Sequence, residues 1–189
     1  MTRGSTECVD SATMSTVHMI CGPLGAGKTT LARRLAEEHR AVRFSLDEWV
    51  MQLFGAEAPH PMAFEWWSER CQRCSERMWP VCQQLLLSDV DVVLDFGFPS
   101  AAHREEYRRR ALEAGATVHL HVVTAGAGLR WERVQARNKG ESDTFALVVT
   151  EDMFVGSEAW WEPPSETELA GRVTFHSAEA LPAAVRLRR

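Results

Sequence analysis

The segment 22–30 has the residue types and spacing of a loop that holds phosphate groups. Gly22, Gly27, Lys28 and Thr29 occupy every fixed position of the pattern G-x-x-x-x-G-K-S/T. Glycines let consecutive backbone N–H groups turn toward an anion, the lysine ammonium lies along the β and γ oxygens of a nucleoside triphosphate, and the threonine hydroxyl binds Mg²⁺. The pattern therefore predicts ATP and Mg²⁺ as ligands of a loop made of Gly22, Pro23, Leu24, Gly25, Ala26, Gly27, Lys28, Thr29 and Thr30.

Two aspartates stand where predicted strands end. Asp47 follows a short strand, and its carboxylate could accept a proton from an acceptor hydroxyl as the γ-phosphoryl group leaves, or help to hold Mg²⁺. Asp47 could instead cap the helix that follows it. Asp95 ends an apolar strand, where an acid can bind Mg²⁺ directly or through water. We predict that Asp47 is the catalytic base and that Asp95 and Thr29 are the metal ligands.

Basic side chains flank a polar segment, 138–144, that is predicted to belong to a lid at about 130–150. Arg133 and Arg137 are four residues apart and share a helix face, so both are predicted to contact ATP. Phosphoryl transfer needs cations that arrive when a site closes. Arg137 stands at the entry to the polar segment and is predicted to be catalytic with Lys28. The alternative is an ordinary exposed arginine pair.

The acceptor side of the site is predicted at Asp47, Trp49, Phe98 and Arg104. Trp49 stands before the third strand together with Trp66 and Trp67, and these rings could form a wall for a planar or apolar acceptor. The alternative is that they belong to the core. Phe98 lies in the turn after Asp95. Arg104 could reach the acceptor or a phosphate, or it could lie on a solvated helix face shared with 108–110.

Cysteine and histidine pairs do not predict a metal site. Cys71 and Cys74 form a C-x-x-C, but no second pair or nearby histidine accompanies them, and their spacing in a helix is typical of small buried side chains. His119 and His121 lie on one face of a predicted strand. A metal ion would need a third ligand that the sequence does not locate, so we interpret them as core or edge histidines.

Alternating strand and helix patterns indicate how these residues are positioned. The pattern predicts an α/β, three-layer P-loop NTPase fold like that of nucleoside monophosphate kinases, with a five-stranded, mainly parallel sheet and a helical lid. Ligands of such sheets bind at the carboxyl ends of the strands. Pro80 either kinks or splits the longest helix. The predicted strands are 17–21, 41–45, 90–95, 117–123 and 172–176, and the main predicted helices are 28–38, 64–87, 101–114, 129–137, 150–160 and 179–186.

Composition limits the classes of protein that remain. The 189 residues fit one domain, predicted at 16–189 after a disordered lead-in at 1–15. A net charge of −5 argues against a nucleic-acid partner, which would need a basic face. The apolar runs are shorter than a membrane span, and the first residues do not resemble a secretion signal. The expected location is the cytoplasm, without membrane contact.

Taken as an ordered set, several segments resemble the small bacterial P-loop ATP-binding phosphotransferases related to chloramphenicol phosphotransferase, zeta toxin and the polynucleotide 5′-kinase domain. The resemblance implies Asp47 as general base, Lys28 and Thr29 on ATP and Mg²⁺, and Arg137 in the lid. Two departures are Val50, where polynucleotide kinases carry an arginine for the acceptor phosphate, and the turn 126–128, which lacks the proline and acidic residues common in relatives. The segments are 22–30, 45–49, 92–95, 97–98, 136–138, 150–154 and 161–164.

These observations together predict an ATP-dependent phosphotransferase that acts on a hydroxyl group of a small molecule. The relatives suggest an antibiotic acceptor, by analogy alone. One alternative is a nucleoside, nucleotide or polynucleotide 5′-kinase. A second alternative, from another class, is an ATP-binding switch or slow ATPase that acts on a protein partner.

Overall fold

Five parallel strands form the centre of the molecule. The computed structural model describes residues 14–60, 62–140 and 148–177. Within these ranges the sheet has the order β2-β3-β1-β4-β5, and all four neighbouring pairs are parallel, as the sequence predicts. Met19 stands in register with Leu94 on one side and with Leu120 on the other. The strands are β1 (Thr16–Cys21), β2 (Val42–Ser45), β3 (Val92–Gly97), β4 (Thr117–Thr124) and β5 (Val173–Ser177).

Helices connect the strands, as parallel pairing requires. The sequence predicts most of them, and the longest continues through Pro80 and is not split. The sequence does not predict the last helix of the described ranges, which is one turn long and closed by a reciprocal cap between Ser165 and Glu168. The helices are α1 (Lys28–His39), α2 (Leu46–Phe54), a 3-10 turn (Gly55–Glu57), α3 (Phe64–Leu86), α4 (Ala101–Glu113), α5 (Ala127–Asn138), α6 (Glu151–Glu158) and α7 (Glu166–Leu169).

Helices cover both faces of the sheet, as is usual for parallel sheets. Every residue of β1 is buried. On one face Ile20 and Val93 pack with Leu31 and Leu35 of α1. The opposite face packs against α3 and α4, in a core that includes Val17, Met19, Leu94, Met78, Trp79, Cys82 and Tyr107.

The C-x-x-C pair belongs to this second core. Cys74 is buried, Cys71 is partly buried against the same cluster, and both are free thiols. Burial raises the pKa of both thiols. The interpretation of the pair as packing residues is therefore confirmed for Cys74, while Cys71 packs at the edge of the cluster.

Parts of the predicted organisation fall outside the described residues. These are most of the lead-in 1–15, the lid residues 141–147 and the helix 179–186. Ser15, at the end of the predicted lead-in, is part of the fold, because its hydroxyl donates to the Leu86 carbonyl at 2.9 Å and its own carbonyl accepts from Thr117. Among the helices of the described ranges, none combines the length and the apolar character needed to cross a bilayer.

Candidate active site

The glycine-containing loop after β1 is pressed against the end of β4 and the start of α5. A Cβ atom on Gly22 would lie 2.3 Å from the Val123 carbonyl oxygen, and one on Gly25 would lie 2.6 Å from the Arg130 carbonyl oxygen. Gly25 also has a φ of +77°, in the left-handed region that side chains disfavour. Glycine at these positions therefore lets the loop lie directly on the neighbouring backbone.

Lys28 begins α1 and lies along the inside of this loop. Its Nζ donates to the carbonyls of Gly22 at 2.8 Å and Pro23 at 2.9 Å. Burial lowers the pKa of Lys28, and the carboxylates of Asp95 and Asp47 oppose that effect. The ammonium thus lies where the loop, the end of β3 and the start of α2 meet.

Asp95 is held in place by partners from two other elements. It is 6% exposed and accepts from Arg43 Nη1 at 3.2 Å and from the Thr29 hydroxyl. Burial raises the pKa of Asp95, while Thr29, Lys28 and Arg43 lower it. The two residues predicted as metal ligands, Thr29 and Asp95, are therefore in direct contact.

Arg43 is a site residue that the sequence does not single out. Its Nη2 donates to Glu48 Oε2 at 2.6 Å, so one guanidinium joins Glu48 of α2 to Asp95 of β3. The parallel register of β2 and β3 places Ser45 beside Asp95 and Arg43 beside Val93. This pairing could not be obtained from local sequence, because it depends on which strand lies beside β3.

Asp47 lies in the first turn of α2, and the N-cap of that helix is Ser45. The alternative that Asp47 caps the helix is therefore wrong. Its side chain reaches solvent, yet the surrounding protein displaces much of its hydration. This desolvation, followed by the nearby Asp95, raises the pKa of Asp47 to about 6, against the opposing effects of Lys28 and Arg137. A carboxylate with a pKa near the working pH is suited to general base catalysis.

Arg137, near the end of α5, lies close enough to Asp47 and Lys28 to change the pKa of both side chains. Its Nε is buried and has no hydrogen-bond partner within the described ranges. Burial lowers the pKa of Arg137, and Asp47 raises it. A buried N–H without a partner is costly in a folded protein, so this donor marks a place where a ligand oxygen would be favourable.

The same face of α5 carries two further arginines that contact the loop. Arg133 Nη1 donates to the Ala26 carbonyl at 3.1 Å. Arg130 is 4% exposed, donates to the Leu24 carbonyl at 3.2 Å, and makes a two-pronged ion pair with Glu158 of α6 at 2.6 and 2.7 Å. Sequence reasoning missed Arg130, although 130, 133 and 137 have the i, i+3, i+7 spacing of one helix face.

The structure does not bring the predicted Arg104 into this group. Arg104 is 2% exposed and makes a two-pronged ion pair with Glu168 at 2.5 and 3.1 Å. It also donates to the carbonyls of Phe98 and Glu162. These bonds tie α4 to α7 and occupy the guanidinium within the protein. They correct both interpretations of Arg104, as an open substrate contact and as a solvated residue.

Phe98 likewise faces away from an open acceptor site. Its side chain is fully buried, and its ring centroid lies 5.4 Å from that of Tyr107. A φ of 43° at this residue turns the chain after Gly97 and directs the ring inward. The prediction that Phe98 contacts the acceptor is corrected to a core role, because a ring without exposed surface offers no contact to substrate in this conformation.

The predicted aromatic wall packs on the core. Trp49, Trp66 and Trp67 are partly buried against the cluster that covers α3 and α4. Arg70 lies over the Trp66 ring, with 4.4 Å from its Cζ to the ring centroid. The packing favours the alternative that these rings belong to the core. Part of each ring is still exposed, so the contact of Trp49 with an acceptor stays a prediction.

A phosphate-binding loop on an all-parallel sheet, with an acid at the end of the neighbouring strand, defines a P-loop kinase-like domain. The chain belongs to the AAA domain family, whose family model matches residues 17–154. No curated protein has significant sequence similarity to it.

Solved structures share the fold at low sequence identity. A Chloroflexus aurantiacus protein assigned as a kinase aligns with a TM-score of 0.70 at 17% identity, over 92% of this chain and 95% of that one. A gluconokinase from Sinorhizobium meliloti aligns with a TM-score of 0.56 at 15% identity, over 91% of this chain and 87% of that one. The Mycobacterium tuberculosis APS kinase, solved with AMPPNP and APS, aligns with a TM-score of 0.56 at 16% identity, over 89% of this chain and 91% of that one. These similarities support the P-loop kinase-like fold.

Proposed function

We propose that this chain transfers the γ-phosphoryl group of ATP to a hydroxyl group of a small molecule. The observation that carries the proposal is the convergence of Lys28, Asp47, Asp95 and Arg137, each of which changes the pKa of others in the group. They come from four different elements that meet at the carboxyl edge of the sheet. A binding loop alone would not require an accessible carboxylate between two cations.

The residues of the site fit ATP with Mg²⁺. Glycine at 22 and 25 lets the loop lie directly on the neighbouring backbone, and the buried Nε of Arg137 lacks a partner within the described ranges that a phosphate oxygen would supply. Thr29 and Asp95, already in contact, would hold the metal ion. ATP supplies the transferred group, and Mg²⁺ neutralises charge on the phosphate oxygens.

The chain's own residues then have distinct tasks. Asp47 accepts the proton of the acceptor hydroxyl, since its carboxylate is both accessible and mostly ionised above a pKa of about 6. Lys28 and Arg137 stabilise negative charge on the transferring group. Arg130 and Arg133 fix the loop through its carbonyls, which keeps the amides oriented before the acceptor arrives.

A small acceptor is favoured over a nucleic acid. The net charge is −5, and Val50, which is fully buried, stands where polynucleotide kinases carry an arginine for the acceptor phosphate. Two of the similar solved structures are kinases named for small molecules, gluconate and APS. These points support a low-molecular-weight hydroxyl compound as acceptor.

The test is ATP-to-ADP turnover against a panel of hydroxyl compounds: nucleosides, sugars, aminoglycosides, chloramphenicol-like compounds and 5′-hydroxyl oligonucleotides. Asp47→Asn should retain ATP binding and lose about 10²-fold or more of the transfer rate to the preferred acceptor, the range of general base catalysis. Asp89→Asn is the matched control, because Asp89 lies outside the site at a φ of 57° that asparagine tolerates.

Three outcomes would contradict the proposal. Phosphoryl transfer by Asp47→Asn at the wild-type rate would show that Asp47 is not the general base. Hydrolysis that no acceptor accelerates would favour an ATP-dependent switch. A strong preference for the 5′-hydroxyl oligonucleotide would replace the small acceptor by a nucleic acid.

A further inference from the structure

Five of the seven histidines of the sequence lie together on the face of the sheet that α1 covers. The parallel register of β1 and β4 puts His18 beside His119, and His18 has its ring centroid 5.3 Å from that of His121. The end of α1 places the His39 ring 4.4 Å from the His18 ring. The cluster consists of His18, His39, His119, His121 and His176.

Hydrogen bonds connect three of these rings in a row. His18 Nδ1 is 3.0 Å from His121 Nε2, and His121 Nδ1 is 3.0 Å from His176 Nε2. A neutral imidazole has one N–H donor and one acceptor nitrogen. If His18 donates from Nδ1 to His121, then His121 donates in turn to His176. In that case His18 Nε2 carries a free lone pair.

That nitrogen is the unusual atom of the cluster. His18 is 1% exposed, and its Nε2 has no hydrogen-bond partner among the described residues. It faces Asp91 Oδ2 at 3.7 Å, which is too long for a hydrogen bond. The other carboxylate oxygen, Oδ1, is fixed by the Thr16 amide at 2.7 Å. In the tautomer with the proton on Nδ1, Nε2 is a buried acceptor opposite a carboxylate oxygen, and that pairing is favourable only when a cation lies between them.

A metal ion fits this gap. One ligand atom from each of His18, His39 and Asp91 can be chosen so that all lie within 4.8 Å of one another. Zinc bonds to nitrogen and carboxylate oxygen are about 2.0–2.2 Å long, so two such bonds span the 3.7 Å between Nε2 and Oδ2 at an open angle. A ligating histidine commonly donates its other N–H to a fixed acceptor, as His18 Nδ1 can do toward His121.

Solvent can reach this position. His39 and Asp91 line a cleft of about 400 Å³ that is also bordered by Arg40 and Asp89. His39 is exposed, and the Asp91 side chain is 24% exposed. An ion could therefore enter beside His39 and keep one coordination position open to water.

We propose that His18 Nε2, His39 and Asp91 bind a divalent transition-metal ion of the zinc type. The site is separate from the Mg²⁺ ligands, because Asp91 precedes β3 and Thr16 begins β1, whereas the phosphate loop follows the other end of β1. The bound ion joins the last residue of α1 to the sheet. Its role is structural or regulatory, since no residue of the proposed transfer reaction takes part.

A second group, His18 with His119 and His121, is less suitable. There His18 Nδ1 and His121 Nε2 already pair with each other, and His119 Nε2 lies 2.8 Å from the Thr174 hydroxyl. The choice between the two groups is thus made on which nitrogen is free.

The test is titration of the metal-free protein with Zn²⁺ in excess Mg²⁺, with a chromophoric chelator as competitor. One equivalent should bind and raise the thermal midpoint. His39→Gln and Asp91→Asn should each weaken Zn²⁺ by more than about 10-fold, because even indirect partners of a site contribute that much. Both variants should fold, since His39 is exposed and asparagine can still accept from Thr16. His60→Gln, at an exposed residue outside the cluster, is the matched control.

Co²⁺ supplies the spectroscopic check. It should give visible ligand-field bands without thiolate charge transfer, which distinguishes the histidine site from the cysteines. Absence of stoichiometric Zn²⁺ binding, or affinity unchanged in both His39→Gln and Asp91→Asn, would overturn the proposal. Loss of binding in His119→Gln with wild-type affinity in His39→Gln would also overturn it, in favour of the second group.

Discussion

Replacing Gly25 by alanine tests whether close packing of the phosphate loop matters as the structure indicates. Two costs combine at this position. A left-handed φ costs a non-glycine residue roughly 1–2 kcal/mol. The new Cβ would also lie 2.6 Å from the Arg130 carbonyl oxygen, and overpacking of this kind costs about 1–3 kcal/mol. We therefore expect Gly25→Ala to lower the free energy of unfolding by about 2–5 kcal/mol.

Two other glycines separate these costs. Gly115 has a φ of +75°, but no atom lies within 4 Å of the position that a Cβ would take, so Gly115→Ala should lose only the roughly 1–2 kcal/mol of backbone strain. Gly156 lies inside α6 with open space around it, so Gly156→Ala should gain about 0.5–1 kcal/mol. Denaturant unfolding of the three variants measures the series.

Nucleotide binding supplies the functional half of the same test. Only Gly25→Ala moves the loop off α5, so only this variant should lose ATP affinity by calorimetric titration with Mg²⁺. Stability of Gly25→Ala equal to that of Gly115→Ala, together with unchanged ATP affinity, would refute the packing argument.

Three further predictions concern the charged groups. Arg104→Met should lower the free energy of unfolding by about 3 kcal/mol or more, because it leaves the Glu168 carboxylate without its cationic partner, and a raised acceptor KM in a fully stable variant would contradict this structural role. With the preferred acceptor, kcat/KM should rise as pH increases through about 6, where Asp47 loses its proton, and Asp47→Asn should flatten that limb of the profile. Arg137→Met should reduce kcat by about 10²–10³-fold with little change in the free energy of unfolding; an unchanged kcat would remove Arg137 from the reaction.

Local sequence was sufficient to predict a feature where a single segment of the chain contains both the residues and the pattern that positions them. The phosphate loop is a contiguous motif, and Asp95 ends an apolar strand, so both could be placed before the fold was known. Arg137 followed from its position at the end of a helix beside a polar segment. The five parallel strands followed from alternation of apolar runs with helical patterns.

Sequence reasoning was insufficient where the partner of a residue is distant along the chain. Arg104 is paired with Glu168, 64 residues away on a helix of a single turn that local patterns do not predict. Phe98 turns inward through a positive φ that no local pattern indicates. His18 joins His121 only because β1 and β4 are neighbours in the sheet, an arrangement that requires the strand order.

The position of Lys28 allows nucleotide binding to be followed by chemical modification of lysine side chains. The sequence contains only two lysines, Lys28 and Lys139. The Lys28 Nζ lies inside the loop against the carbonyls of Gly22 and Pro23. Lys139 is exposed outside the loop. Acylation of the two lysines can be measured by mass spectrometry in one sample. Modification of Lys28 then reports whether the nucleotide loop is occupied, and modification of Lys139 reports how much reagent reacted.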